Sequence, residues 1–99
     1  MEIICVNGSF PTDKLEFYKL HGVSVPQQDK MYNIRAVINN SNGKKGILLE
    51  EIKNPTIPFK HPILGVTYNE PNWDINRFRN LNQSIISKEQ LNEILCKIH

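Results

Sequence analysis

Residues 32–52 read YNIRAVINNSNGKKGILLEEI, and this stretch carries the clearest structural signal in the chain. Every second residue from Tyr32 to Ile38 is apolar. Because successive side chains of a strand point to opposite faces, this alternation predicts a strand with one apolar face. Asn42-Gly43 follows and tolerates the positive φ of a type I′ turn, after which residues 47–52 are again mainly apolar. The stretch therefore predicts a β-hairpin.

A two-residue turn would fix the register of this hairpin. The pairs that it predicts are Ile38 with Ile47, Ala36 with Leu49, and Arg35 with Glu50. Ile34 then faces Glu51, which places an apolar side chain opposite an acidic one. Two alternatives remove this mismatch. A bulge at Glu50-Glu51 brings Ile52 opposite Ile34, or the loop is longer, since residues 39–45 carry no apolar side chain.

Length and composition predict one small domain spanning residues 1–99. The chain has 99 residues, and its hydrophobic content of 39% suffices for one modest core. The net charge is only +2 and no basic run exceeds Lys44-Lys45, which argues against a dominant phosphate-binding surface. No segment approaches the ~20 apolar residues of a membrane span, so no membrane partner is expected.

The two cysteines bear on the compartment. Cys5 lies in an apolar run and Cys96 in a helix-like tail. No secretory signal is recognisable, so we expect a cytoplasmic protein with reduced thiols. Cys5 is predicted to be a buried free thiol, and a disulfide between Cys5 and Cys96 is the alternative.

Further elements flank the hairpin. They are a strand at 3–6, a helix at 12–22 or an ordered loop that wraps an open side of the fold, a strand at 63–68, a 3₁₀ turn at 74–76 and a strand at 77–81. The helix is expected to present Leu15, Tyr18 and Leu20 on one side, with Thr12 or Asp13 as its cap and Gly22 at its end. Prolines at positions 55, 58 and 62 exclude a central strand and predict a segment packed on the surface.

The strands are predicted to form one strongly bent antiparallel sheet. Residues 63–68 are included in it. The side chains expected to fill its core are Ile4, Val6, Tyr32, Ile34, Ile47, Leu49, Val66 and Phe78.

Residues 87–98 predict a C-terminal helix. Ser87 and Gln90 have the spacing of a capping box, and Ile86 can pack on Leu91 as a hydrophobic staple. One apolar stripe follows, formed by Leu91, Ile94, Leu95 and Ile98. A helix this short needs tertiary packing, so we expect it to dock on the sheet, with an oligomer or partner contact as the alternative.

The order of these motifs resembles a known group of sequences. The motifs are Lys30-x-Tyr32-x-Ile34, Gly46-Ile47-x-Leu49-Glu50-Glu51-Ile52 and Arg77-Phe78-Arg79-x-Leu81. They resemble short hypothetical proteins of phages, prophages and other mobile elements, and the resemblance covers residues 2–81. It implies a mainly β fold, a five-stranded antiparallel barrel of the Src-homology-three type. It implies no established activity.

Catalytic and metal-binding patterns are absent from the sequence. His21, His61, His99 and Cys5 form no pair with the spacing of a nucleophile and its base. A zinc site needs clustered ligands such as a Cys-x-x-Cys pair, which the chain lacks. We therefore expect a protein that is not an enzyme and that needs no metal and no cofactor.

The candidate binding residues are Tyr68, Trp73, Arg77 and Arg79, which lie close together in sequence. Aromatic residues and arginine are enriched at binding hot spots. On barrels of the resembling type, grooves between loops commonly hold peptides or nucleic acid. We expect an accessory protein that binds a protein partner as a monomer or weak homodimer. The alternatives are a weak nucleic-acid binder and a purely structural or oligomerising domain; in that last case Trp73 plugs the end of the barrel.

Overall fold

The computed structural model describes residues 1–40, 42–82, 85–87 and 89–91. Over these residues the fold is mainly β, with a five-stranded antiparallel sheet, a two-stranded sheet and a helix after the first strand. The elements are β1 (Glu2–Cys5), α1 (Thr12–Leu20), β2 (Met31–Asn39), β3 (Lys45–Leu49), β4 (Ile57–His61), β5 (Gly65–Asn69), β6 (Trp73–Asp74), a 3₁₀ turn (Ile75–Arg77) and β7 (Phe78–Asn80).

The five-stranded sheet has the strand order β6-β3-β2-β1-β7. Its two edge strands, β6 and β7, are joined only by the 3₁₀ turn Ile75–Arg77. The edges of a flat five-stranded sheet lie about 19 Å apart, whereas a 3₁₀ connection of this length spans about 8 Å. The sheet must therefore curve strongly. Among the described residues β6 and β7 form no ladder with each other, so the sheet is not closed into a barrel.

The hairpin of β2 and β3 is confirmed, but the predicted register is wrong. Ile38 pairs with Gly46 and Ala36 pairs with Leu48, so both predicted partners are displaced by one residue, and Arg35 falls at a shift in the register. Val37 pairs with Ile47. The loop is longer than two residues, as the second alternative proposed, and the Asn40 N–H donates to the Lys44 carbonyl at 3.0 Å. The longer loop lets two buried side chains, Val37 and Ile47, face each other.

A β-bulge decides which side chains of β2 point inward, and it lies in β2 rather than at Glu50-Glu51, where the first alternative placed it. The register shifts between Ile34 and Ala36, which leaves Arg35 as the extra residue. Tyr32 and Ile34 are buried before the bulge and Val37 after it. Because the bulge adds one residue, the inward side chains change from even-numbered to odd-numbered positions. A simple alternating pattern could not show this change.

The strands β4 and β5 form a hairpin of their own. The prediction that residues 63–68 join the main sheet is wrong, because β5 pairs with β4 and the short strand β6 takes the edge position beside β3. The chain reverses at 62–64, so its nearest partner is the strand just before it. Pro58 is tolerated in β4 because both strands of a two-stranded sheet are edges. Ile57 is buried, so the proline-rich segment does pack on the body of the protein.

The predicted core is confirmed at five positions and wrong at three. The five buried residues are Tyr32, Ile34, Ile47, Leu49 and Phe78. Ile3 and Cys5 are fully buried in place of Ile4 and Val6, because Ile3 pairs with Tyr32 and shares its inward face. The third error is Val66, which is exposed on β5. Cys5 is a buried free thiol, as predicted.

The helix α1 is confirmed, but its predicted cap and apolar side are not. Pro11 occupies the cap position, and no side chain makes a cap hydrogen bond. Gly22 lies just after the helix with φ +70°, the left-handed conformation that favours glycine at a helix end. Only Tyr18 is buried, whereas Leu15 and Leu20 are exposed. The helix therefore packs on the protein through two aromatic side chains, the buried Tyr18 and the partly buried Phe17.

Two predictions near the C-terminus hold. The 3₁₀ turn and the strand after it are present within a residue of their predicted bounds. The capping box is formed: the Ser87 N–H donates to Gln90 Oε1 at 2.9 Å, and the Gln90 N–H donates to Ser87 Oγ at 3.2 Å. Ile86 and Leu91 are buried. The remainder of the predicted C-terminal helix, with Ile94, Leu95 and Ile98 of its apolar stripe, lies outside the described residues, as does Cys96. In the described part of the chain no helix has the length and apolar character needed to cross a membrane.

Candidate functional site

A groove of about 970 Å³ is the candidate site. One wall comes from Phe10 and the start of α1, a second from the ends of β2 and β3, and a third from the β4–β5 hairpin. Its lining residues are Phe10, Pro11, Lys14, Tyr18, Ile38, Asn39, Asn40, Asn42, Leu48, Phe59, Lys60, His61, Thr67, Asn69, Glu70, Pro71, Asn72, Trp73, Asp74 and Arg77. This volume lies in the range of small-ligand and peptide pockets.

Three aromatic rings form the base of the groove. Trp73, which is 2% exposed, meets Phe10 at 5.8 Å and Tyr18 at 5.7 Å between ring centroids, both in edge-to-face geometry. Phe10 and Tyr18 meet each other at 6.2 Å in the same geometry. Burial raises the pKa of the Tyr18 hydroxyl, so the phenol stays neutral. The cluster thus joins α1 to strand β6 and offers an apolar, uncharged base.

Arg77 holds the loop that carries Phe10. Its guanidinium carbon lies 3.9 Å from the centroid of the Phe10 ring, a cation–π contact. The same guanidinium donates to the Ser9 carbonyl at 2.6 Å and to the Asn7 carbonyl at 3.2 Å. These two hydrogen bonds and the ring contact position Phe10.

A pair of side-chain amides crosses another part of the groove wall. Asn40 Nδ2 donates to Asn72 Oδ1 at 3.0 Å, and Asn72 Nδ2 donates to Asn40 Oδ1 at 3.1 Å. This pair links the end of β2 to the segment before β6. Gly46 lies beneath it, and a Cβ at that position would overlap the Asn72 amide. Because any larger residue at position 46 would overlap this amide, the amide pair can form in this geometry only with glycine there.

An ion pair fastens the base of the β4–β5 hairpin to the main sheet. Arg35, the bulge residue, donates to Glu70 Oε2 at 2.6 Å. The same oxygen accepts from the Asn54 N–H at 3.1 Å, so both ends of the hairpin meet at one carboxylate. Burial alone would raise the pKa of Glu70, but the hydrogen bonds from Arg35 and Asn54 lower it overall. The hairpin wall is therefore anchored by a carboxylate held in its charged form.

The four predicted binding residues are only partly brought together. Trp73 and Arg77 both line the groove. Trp73 is nevertheless buried, which agrees with the alternative that it plugs one end of the sheet. Tyr68 is 67% exposed and lies outside the groove lining. Arg79 also lies outside it and donates to the Asn76 and Phe78 carbonyls at 2.9 and 2.8 Å.

Sequence reasoning missed Phe10, Tyr18 and the asparagines of the wall. Phe10 had a usable signal, since an aromatic residue before Pro11 at a helix start is placed to pack against the helix. Tyr18 was expected to pack, but as part of an apolar side that does not exist. Nothing in the local pattern indicates that Asn40 and Asn72 meet across 32 residues.

Three of the reactive residues that the structure describes, Cys5, His21 and His61, make structural contacts. His61 Nδ1 accepts from the backbone N–H groups of Ile63 and Leu64 at 3.1 and 3.0 Å, which stabilises the β4–β5 turn. The His21 ring contacts the Phe17 ring in a tilted geometry, with ring centroids 4.6 Å apart. Burial raises the pKa of the Cys5 thiol. Among the residues that the structure describes, no three His, Cys, Asp or Glu side chains cluster as metal ligands.

Comparison with family models, with curated proteins and with solved structures found no match to this chain.

Proposed function

We propose that this chain is a non-enzymatic binding protein that recognises an extended segment of a protein partner in the groove. The observation that carries the proposal is the composition of the groove: an aromatic base surrounded by side-chain amides. The half-buried Phe10 provides apolar area beside the buried rings of Tyr18 and Trp73, while Asn39, Asn69 and the Asn40–Asn72 pair provide donors and acceptors. Extended peptides present alternating side chains and backbone amides, and this lining suits both.

The charges of the groove favour a protein over a polyanion. Lys14, Lys60 and Arg77 bring positive charge, while Glu70 and Asp74 bring negative charge to the same lining. Arg77 and Glu70 are further occupied by partners inside the protein. The remaining field is weak and mixed, so affinity would come from contact area and hydrogen bonds rather than from net charge.

The absence of catalysis in this proposal rests on the geometry of the reactive groups. A nucleophile needs a neighbouring base and access to the substrate. Cys5 is fully buried and its thiol pKa is raised, and His61 holds a turn in place. A binding role is the simpler use of this groove.

The curved sheet also supports an architecture of the Src-homology-three type. Its edge strands are joined by a single 3₁₀ turn, as a small, nearly closed five-stranded fold requires. An origin in a phage or other mobile element rests on the motifs of residues 30–81 alone and stays a prediction.

Blocking the groove from one wall tests the proposal. Lys14 lines the groove, whereas Lys19 lies on the same helix outside it. We expect peptides selected on the wild-type protein from a displayed random library to bind Lys19→Trp normally and to lose at least tenfold in affinity for Lys14→Trp. Selected peptides that bind both variants equally would remove the groove from consideration, as would a library that yields no binder.

Nucleic acid is the second candidate. It is supported by three basic residues that line the groove, Lys14, Lys60 and Arg77, and by the contact of Arg77 with the ring of Phe10. Stacking aromatics and basic side chains are the means by which single strands are bound. Such binding would weaken steeply with salt. A fluorescence titration with single- and double-stranded oligonucleotides at low salt decides the matter, and no binding at high micromolar concentration would reject this candidate.

A further inference from the structure

The strand β5 has an exposed and unprotected edge. It has the sequence GVTYN and carries no charged side chain. Val66 is 58% exposed and Tyr68 is 67% exposed, and the two lie on one face because they are two residues apart. Within the described residues β5 pairs with β4 only, so its other edge has no strand partner.

The neighbouring strand β4 shows the protection that β5 lacks. Pro58 and Lys60 lie in β4, and proline and lysine are the residues with which proteins usually discourage edge pairing. Ile57 at its start is buried and Phe59 packs against the core cluster. The hairpin therefore turns β4 towards the core and leaves β5, which carries no charge, on the outside.

We propose that β5 is a self-association edge, where the β5 of a second copy of this chain pairs antiparallel across a twofold axis. The two hairpins would then form one four-stranded sheet. A register centred on Thr67 pairs Val66 of each copy with Tyr68 of the other and Gly65 with Asn69. It is the register in which all five residues of β5 face another residue of β5.

Self-complementarity is what favours a second copy over an unrelated strand. A twofold interface requires that one patch match itself. In this register the Val66–Tyr68 pair occurs twice, an aromatic side chain against a β-branched one, which is a favourable cross-strand combination. No charge is opposed to a like charge, because β5 has none.

The association is expected to be weak. Five residues span only about 17 Å of strand, and the area buried falls below the ~1,200 Å² of standard interfaces. Sedimentation velocity over a concentration series up to about 1 mM therefore suits the question. The wild-type average mass should rise from 11.5 kDa towards twice that value.

Three variants assign the association to β5. Val66→Lys should stay at the mass of one chain, because it removes both Val66–Tyr68 pairs and places on each edge a lysine, a residue that discourages edge pairing. Leu20→Lys is the matched control, since Leu20 is 81% exposed on α1, and it should associate like the wild type. The double variant Val66→Lys with Tyr68→Glu restores complementarity as two Lys–Glu pairs and should recover association.

Three results would overturn the proposal: a wild-type protein that keeps the mass of one chain up to about 1 mM, a Val66→Lys variant that associates like the wild type, or a double variant that stays dissociated. Lys14→Trp leaves β5 untouched and should associate normally. The proposal of self-association through β5 and the proposal of peptide binding in the groove can therefore be rejected independently of each other.

Discussion

Two aromatic residues five positions apart, Tyr68 and Trp73, show how differently the two sheets use their apolar side chains. Trp73 begins β6 and is 2% exposed, in contact with two other rings. Tyr68 lies in β5 and is 67% exposed. The curved sheet buries its apolar face, whereas the β4–β5 hairpin displays one. Folding thus buries the first surface and leaves the second exposed to solvent.

The largest expected effect comes from truncating the buried ring. Trp73→Ala removes the shared member of the aromatic cluster and should lower the free energy of unfolding by about 3–5 kcal/mol. Small domains have only about 5–15 kcal/mol in total, so this variant should be close to unfolding. Urea denaturation followed by circular dichroism measures the change.

The exposed ring provides the contrast. Tyr68→Ala at low protein concentration should change the free energy of unfolding by no more than about 0.5 kcal/mol. Comparable losses in the two variants would mean that the hairpin is as much a part of the core as β6 is.

The amide pair on the main-sheet side of the groove comes next in size. Gly46→Ala pushes the Asn72 amide away from Asn40 and should cost about 1–2 kcal/mol. In Gly46→Ala with Asn72→Ala the added methyl group no longer overlaps the Asn72 amide, and the remaining close side-chain atom is Asn40 Nδ2 at 3.1 Å. The double variant should therefore be more stable than the sum of the single changes predicts. A double-mutant cycle by urea denaturation measures this coupling, and strict additivity would show that the two residues do not interact.

The ion pair at the foot of the hairpin gives a smaller effect than the amide pair, and it depends on pH. The pKa of Glu70 is lower in the folded state, so this group stabilises the fold above its unfolded pKa and loses that contribution as pH falls through the folded value. As the pH falls below about 5, the wild type should therefore lose the stabilisation that the charged Glu70 provides. Glu70→Gln lacks this stabilisation at every pH. The difference between the two proteins should be about 1 kcal/mol or less at pH 7 and should vanish at low pH.

Thermal unfolding at pH 7 and pH 3 tests this expectation. Glu50→Gln is the control, because Glu50 is exposed and lies outside this contact. A constant gap between the wild type and Glu70→Gln at both pH values would show that the carboxylate does not bind Arg35 as a charged group.

Local sequence patterns predicted the helices, strands and turns well, but they predicted poorly which side chains of a strand face the core. The β2–β3 hairpin, the 3₁₀ turn and the capping box each depend on a few adjacent residues, and all three are present. The errors over which side chains face the core have one kind of cause. The run at 3–6 is apolar on both parities, and the bulge at Arg35 shifts the parity inside a strand.

The groove was beyond local patterns because it is assembled from distant segments. Phe10 and Trp73 are 63 positions apart, yet their rings touch. Because Tyr68 and Trp73 are close in sequence, we predicted that they share one surface. In the structure they lie in different sheets. Residues close in sequence were therefore a poor guide to residues close in space.

Hydrogen exchange tests most directly the division between a stable curved sheet and an exposed hairpin. At about 10 μM protein, where a weak dimer dissociates, amides of β2 and β3 should exchange only through global unfolding. Amides of β5 should exchange at least tenfold faster, through local opening of the two-stranded ladder. Equal protection of β5 and of the central strands would contradict the division, and the hairpin would then belong to the folded core.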